Sequence, residues 1–310
     1  MEFSHTPVLL KECLKGLNLK DGGIYADCTL GGAGHSLSIL QSADCRLIGI
    51  DKDRDALESA KLRLKDYKDK VTLVKDDFKN IKNVLKDNGI EKVDGILIDL
   101  GVSSYQLDNP ERGFSYMAHD APLDMRMDKD QYLTAFNVVN EYSEGELIKI
   151  IRDYGEERYA PKIAYNIVRE RQKQSIRTCG ELVKIIDNSI PEFAKRTGGH
   201  PAKRTFMAIR IETNGELESL KESVYDCGDC LNKAGRLAII TFHSLEDRIV
   251  KHVFKDLEND CICDKRAPIC VCNKKQEIKI LTTKPIEADA FETDKNSRAK
   301  SAKLRICEKL

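Results

Sequence analysis

Four carboxylates in this chain stand where apolar runs end. Asp27 follows Ile24-Tyr25-Ala26, and Asp51 follows Leu47-Ile48-Gly49-Ile50. Asp77, paired with Phe78, comes just after Val71-Thr72-Leu73-Val74, and Asp99 closes Val93-Asp94-Gly95-Ile96-Leu97-Ile98. Between the first two lies Cys28-Thr29-Leu30-Gly31-Gly32-Ala33-Gly34-His35. A strand, a glycine turn and a helix start is where α/β proteins hold a nucleotide-like cofactor, because glycine lets the backbone approach the ligand without a Cβ clash. Asp51 lies about 20 residues past the first glycine, where such folds bind ribose hydroxyls. Asp77 and Phe78 suit the edge and face of an adenine, and Asp99 sits beside the reacting end. The plainer reading of any single acid is a solvated loop residue or a helix cap; agreement across the set weighs against it.

The glycine spacing fits G-x-G-x-x-G poorly, which weighs against a dinucleotide. An acid before the glycines and an acid–aromatic pair after the third strand suit S-adenosylmethionine better. Its amino group needs an acceptor, and its adenine needs an edge partner and an apolar face.

The elements that must position these groups alternate. Strands are expected over 24–28, 46–50, 71–74 and 93–100, with helices over 8–17, 34–41, 54–64 and 81–86. Strands that read as near-continuous apolar runs between helices indicate a parallel sheet covered on both faces. A turn-rich loop follows, and then about a hundred residues of helical signal. Ser143-Glu144-Gly145-Glu146 reads as a capping box, and further helices are expected over 160–171 and 181–189. The sheet pattern returns over 235–242, a helix follows over 245–257, and strands are expected over 278–281 and 302–307, the last alternating like an edge strand. The fold class is therefore α/β, a mostly parallel sheet with an inserted all-helical domain. The sheet domain takes residues 1–105 and 206–310, and the helical domain takes 106–205.

Composition sets outer limits. The chain has 310 residues, 41% hydrophobic and 33% charged, which describes a soluble globular protein rather than a disordered one. No apolar run is long enough to span a bilayer. The opening Met1-Glu2-Phe3-Ser4-His5 lacks the regions of a signal peptide, so a cytoplasmic location without membrane partners is expected. The formal net charge is zero, so any nucleic-acid footprint must be local. Basic groups do cluster, at 169–177, at Lys195, Arg196, Lys203, Arg204 and Arg210, and at 298–305. The second cluster, broken by Gly198-Gly199, is the most RNA-like, although charge runs are usually solvated faces.

Two further features carry chemistry. His243, in Phe242-His243-Ser244-Leu245-Glu246-Asp247-Arg248, either touches substrate at the rim of the site or packs locally while Ser244 caps the next helix with Asp247 at its third position. Among the eleven cysteines, Cys261, Cys263, Cys270 and Cys272 form two C-x-C pairs that could give four thiolates to a tetrahedral structural zinc. The alternatives are free thiols or oxidised pairs.

Several longer strings carry a family resemblance. They are Asp27 to Ser36, Asp99-Leu100-Gly101-Val102-Ser103-Ser104-Tyr105-Gln106-Leu107-Asp108, Glu111-Arg112-Gly113-Phe114-Ser115, Pro122-Leu123-Asp124-Met125-Arg126-Met127, Tyr154-Gly155-Glu156-Glu157-Arg158, His200-Pro201-Ala202-Lys203-Arg204-Thr205-Phe206, Phe242 to Lys251 and Asn296-Ser297-Arg298-Ala299-Lys300-Ser301. Over nearly its whole length the chain resembles the bacterial small-subunit (16S) ribosomal RNA cytosine-N4 methyltransferases of the H (MraW) type. The resemblance implies a Rossmann-like class I methyltransferase sheet with an inserted all-helical substrate-recognition domain, and methyl transfer from S-adenosylmethionine to the exocyclic amine of a cytidine in the decoding region, on the RNA of the small ribosomal subunit, by a monomer or homodimer. Matched by position, cofactor contacts fall on Ala33, Gly34, His35, Asp51, Phe78, Asp99 and Gln106. Asp99 and His243 are the candidate catalytic residues, and Lys195, Arg196, Lys203 and Arg204 the candidate RNA contacts. The family often has Gly where this chain has Ala33, and Ala there is expected to keep φ below zero. Many amino-methyltransferases place Asp/Ser-Pro-Pro-aromatic at the strand end where this chain has Asp99-Leu100-Gly101-Val102, so the base-holding geometry must differ. A DNA amino-methyltransferase, a non-catalytic assembly factor and a nicotinamide-dependent oxidoreductase are the weaker readings. Intact Asp51, Phe78, Asp99 and Gln106 argue against a decayed pocket.

Overall fold

The structure is a computed structural model that describes residues 7–196, 199–263 and 271–310. The chain divides into two compact units, one made of residues 1–101 and 217–310, the other of 102–216. The divisions fall a few residues from the expected 105/106, and eleven residues beyond 205/206. The second offset has a local reason. The helix Lys203–Asn214 buries Phe206 and Ile209 in the core of the second unit, so the chain leaves that unit only after it.

The first unit is built on one sheet. Its strands are β1 (Ile24–Asp27), β2 (Arg46–Asp51), β3 (Val71–Lys75), β4 (Val93–Asp99), β5 (Leu231–Thr241), β6 (Ile278–Ile280), β7 (Ile286–Glu287) and β8 (Lys303–Lys309). The order is β3-β2-β1-β4-β5-β8-β6, with β7 also paired to β8. Strands β1 to β5 run parallel, while β8 runs antiparallel to β5, β6 and β7. Side chains alternate between two buried faces, so that Ile96 and Ile98 of β4 enter one core cluster and Leu97 the other. Burial on both faces is why these strands read as unbroken apolar runs.

The final strand corrects the sequence reading. It is not an edge strand, because β8 lies between β5 and β6. Its alternating look comes from Arg305, which is charged yet only 6% exposed. The guanidinium donates two parallel hydrogen bonds to Asp247, at 2.7 and 3.0 Å. A paired cation can be buried, and hydropathy alone misplaces it at the surface.

The second unit is helical, and its helix starts are set by side-chain caps. Thr134 with Asn137, Ser143 with Glu146 and Thr178 with Glu181 each form a reciprocal capping box. The Thr178 box starts its helix at Cys179, two residues before the expected 181. Arg112 is 2% exposed and donates to the carbonyls of Arg126 and Met127, tying the long loop of this unit to itself. Among the described residues no helix is long and apolar enough to cross a membrane.

Breaking a buried ion pair leaves an uncompensated charge. Arg305→Ala is expected to destabilise the protein by about 3 kcal/mol, with Arg305→Met/Asp247→Leu recovering most of the loss. Urea denaturation of the two variants checks this.

Candidate active site at the reversal of strand order

Strand order reverses between β1 and β4, and in open parallel sheets the crevice beyond the carboxyl ends of the strands at such a point receives ligands. Asp27, Asp51 and Asp99 are the last residues of β1, β2 and β4, so the sheet brings all three to that edge.

The turn after β1 is fixed from both sides. Asp27 is 1% exposed, and its carboxylate accepts from Ser36 Oγ at 2.6 Å and from the Thr29 amide at 3.3 Å. Thr29 Oγ1 in turn accepts the Asp99 amide at 2.6 Å, tying the turn to the end of β4. Asp51 accepts from the Gly31 amide through one oxygen and from the Asp53 amide through the other, both at 2.8 Å. Arg63 Nη1 donates to the Gly32 carbonyl at 2.9 Å. The Ala33 amide closes the turn on the Leu30 carbonyl at 2.7 Å. Asp27 is buried away from solvent with a bond on each oxygen, so it sets the turn, whereas the half-buried Asp51 keeps an open side.

Ala33 corrects a second expectation. Its φ is +55°, in the left-handed region, where an L-residue other than Gly costs about 1 kcal/mol or more. Ala33 is the residue before the helix Gly34–Ser42, and the turn bond from its amide to the Leu30 carbonyl holds it there. A Cβ on Gly34 would lie 2.4 Å from Pro7 Cγ, so this start is closely covered and only glycine fits. His5 lies outside the described residues.

Burial dominates the electrostatics. It raises the Asp27 and Asp51 carboxyls to about 6 in each case, partly offset by the hydrogen bonds each accepts. It raises Asp99 to about 8, helped by the negative charges of Asp27 and Glu246. His35 moves the other way, to about 4, because its imidazolium is desolvated, and a favourable interaction with the Val8 backbone offsets only part of this. His35 Nε2 and Asp99 Oδ2 are 3.7 Å apart. At neutral pH this is a neutral imidazole beside a mostly protonated carboxyl, not an ion pair. Asp99 Oδ1 is buried and has no hydrogen-bond partner among the described residues. A buried polar atom without a protein partner costs free energy that an ordered water or a ligand offsets.

The remaining candidates have mixed placements. Asp77 caps the short helix Phe78–Asn80, accepting from the Lys79 amide at 3.1 Å, and lies 3.8 Å from Lys52 Nζ. Phe78 packs against the core of the first unit. Gln106 belongs to the second unit, where its side chain accepts the Ser103 amide in a capping box. His243, not Ser244, caps the helix Ser244–Glu258, and Glu246 rather than Asp247 is the third helical residue. Glu246 accepts from the Phe242 and His243 amides, and its Oε1 lies 3.1 Å from His243 Nε2. Among the basic candidates, Lys195 is bound by Asp187 and Glu192, and Arg204 donates to the Glu156 carbonyl. Arg196, Lys203 and Arg204 are exposed. Cys261, Cys263 and Cys272 gather in one place, while Cys270 lies outside the described residues.

Sequence reasoning passed over Thr29, Ser36, Arg63 and Glu246. Glu246 had a signal, since an acid three residues past a polar cap is the capping-box pattern once His is admitted as the cap.

The shifts predict a pH dependence. A carboxyl whose pKa rises on folding holds its proton more tightly in the native state, so stability falls as pH climbs from the unfolded value, about 4, to the folded one. Asp27 and Asp51 act up to about 6, and Asp99 up to about 8. His35 opposes them between about 4 and 6.5. Above 6.5 Asp99 acts alone among these groups. The ligand-free protein is therefore expected to lose stability between pH 6.5 and 8, and Asp99→Asn to abolish that slope, read from denaturation midpoints across the window.

Comparison with known proteins places this geometry. The model of the MraW methylase family matches residues 2–310. A Clostridium botulinum protein described as ribosomal RNA small subunit methyltransferase H is 56% identical, with both chains covered in full. The Agathobacter rectalis methyltransferase H 2 is 55% identical over all of this chain and 99% of its own, and the Brevibacillus brevis methyltransferase H is 54% identical over the same shares. A match along the whole chain, on a sheet with three acids gathered at its switch point, makes this protein a member of the MraW methylase family.

Proposed function

We propose that this chain transfers a methyl group from S-adenosylmethionine to N4 of a cytidine in the decoding region of small-subunit ribosomal RNA, in the cytoplasm. The observation that carries the reading is Asp99, a half-buried acid whose Oδ1 is buried without a hydrogen-bond partner among the described residues, at the carboxyl end of β4, in a chain whose relatives are described as small-subunit ribosomal RNA methyltransferases.

The donor set fits the cofactor. A carboxylate has about four acceptor sites, so Asp51 keeps capacity for the two ribose hydroxyls while holding the Gly31 and Asp53 amides. The amides that open the helix at Gly34 and His35 suit the carboxylate of the methionine moiety. Phe78, beside Asp77, suits the face of the adenine. When bound, S-adenosylmethionine supplies an electrophilic methyl on a sulfonium and leaves as the neutral thioether.

The chain must do the rest. A cytosine amine is a poor nucleophile, because its lone pair is delocalised into the ring. Holding it in line is proximity catalysis. Positive charge then builds on the amine nitrogen, and a proton must leave it. Asp99 is the acceptor in this reading. Mostly protonated alone at neutral pH, it is driven to the carboxylate by a neighbouring cation, so its basicity is summoned by cofactor binding. His243 lines the same strand edge. The exposed Arg196, Lys203 and Arg204 of the second unit are assigned to phosphate contact, while Lys195, held by two acids, is a weaker candidate. Extraction of the target base from folded RNA falls to the helical unit.

Small ribosomal subunits from cells lacking this protein, incubated with labelled S-adenosylmethionine, are expected to yield N4-methylated cytidine on nucleoside mass analysis. Asp99→Asn is expected to lower kcat about 100-fold or more with a much smaller change in cofactor Kd. Full turnover by Asp99→Asn would remove Asp99 from the chemistry, and label in a different nucleoside would overturn the target.

A further inference from the structure

We infer that Cys261, Cys263 and Cys272 form a structural site for a thiophilic divalent cation, zinc being the natural occupant. Their three sulfur atoms all lie within 4.8 Å of one another. Cys261 Sγ and Cys272 Sγ are 3.8 Å apart. A disulfide needs about 2.05 Å. Zinc–sulfur bonds of about 2.3 Å at tetrahedral angles set neighbouring sulfurs about 3.8 Å apart, and the Cys261–Cys272 spacing matches that edge.

The backbone is arranged for thiolates. The Ile262 amide points at Cys272 Sγ at 3.4 Å, and the Val271 amide points at Cys263 Sγ at 3.4 Å. The middle residue of each C-x-C pair thus donates to a sulfur of the other pair. The Cys263 amide adds a third such bond to Cys261 Sγ at 3.3 Å. Amide donors aimed at the sulfurs are the outer contacts that hold and orient a metal's cysteine ligands.

The surrounding segment needs such a staple. It runs from the end of the helix Ser244–Glu258 to β6. Its stem is closed by the Glu277 amide on the Leu257 carbonyl at 2.9 Å and by Lys274 on Asp256 at 2.6 Å. Beyond the stem, none of the described residues 259–263 and 271–277 is buried. Ile262 is 66% exposed and Val271 is 79% exposed. A segment with no apolar core of its own is held by a cross-link or a metal. The three sulfurs are themselves half-buried, which leaves an ion a way in. Three thiolates leave one tetrahedral position for a further donor. Cys270, the fourth cysteine of the pattern, lies outside the described residues.

The full-length protein, purified without chelators, is expected to carry roughly one zinc per chain by elemental analysis, and the same increment in native over denatured mass. Cys261→Ser/Cys272→Ser is expected to lose it, and Cys45→Ser to keep it. Cobalt exchanged into the wild-type protein is expected to give intense thiolate charge-transfer absorption with tetrahedral d–d bands, a readout that stands even if the double variant does not fold. Metal no higher in the wild type than in the double variant, octahedral cobalt bands without charge transfer, or an intact mass short of the hydrogens lost to disulfides would overturn the site.

Discussion

The candidate site hangs on one buried carboxylate. Asp27 has almost no contact with solvent, and it spends its oxygens on the Ser36 hydroxyl and the Thr29 amide. Those two bonds set the turn between β1 and the following helix. Thr29 then reaches across to the Asp99 amide, and the Gly31 amide reaches across to Asp51. The ends of three parallel strands are thereby locked to a single turn. The strain at Ala33 is tolerated because the bonds around it over-determine its backbone. Without the Asp27 bonds the glycine turn would be free to relax, and the spacing of Asp51 and Asp99 would relax with it.

The same burial that builds the turn makes the acids unusual. Desolvation is the largest cause of the raised pKa at Asp27, Asp51 and Asp99 alike. The effect is greatest at Asp99, where the charges of Asp27 and Glu246 add to it, and where no strong hydrogen bond to the carboxylate offsets it. The fold thereby holds in reserve an acid whose ionisation waits for a cation. In the proposed reaction the cation is the methyl donor itself, so the proton acceptor ionises when there is a methyl group to transfer.

Much of the first unit was legible in the sequence, because parallel strands covered on both faces leave an unmistakable apolar run, and because strand-end acids recur beside a glycine turn. What stayed hidden was set by pairing at a distance. Arg305 reads as a surface residue until Asp247, from a helix far back in the chain, is seen beneath it. Ala33 reads as a negative-φ residue until the helix start at Gly34 and the turn bond to Leu30 are in place. Ser244 reads as the helix cap until His243 is seen to take that place, with Glu246 closing the box behind it. The contacts that tie Asp27 to Ser36 and Gly32 to Arg63 follow from which face of a helix turns toward the strand ends, and a pattern of residue types does not carry that. In the second unit, periodicity located the helices, but the long loop ordered by Arg112 has no periodicity to read.

The proposed chemistry turns on the state of one proton, and carboxyl-carbon NMR of Asp99 reads it directly, with Asp99→Asn as the assignment control. Titrated without ligand, the Asp99 signal is predicted to move near pH 8, and on saturation with S-adenosylmethionine to move at a distinctly lower pH. A midpoint in the ordinary carboxylate range of about 4 in the ligand-free protein would contradict the account. So would one near 8 that ignores the cation.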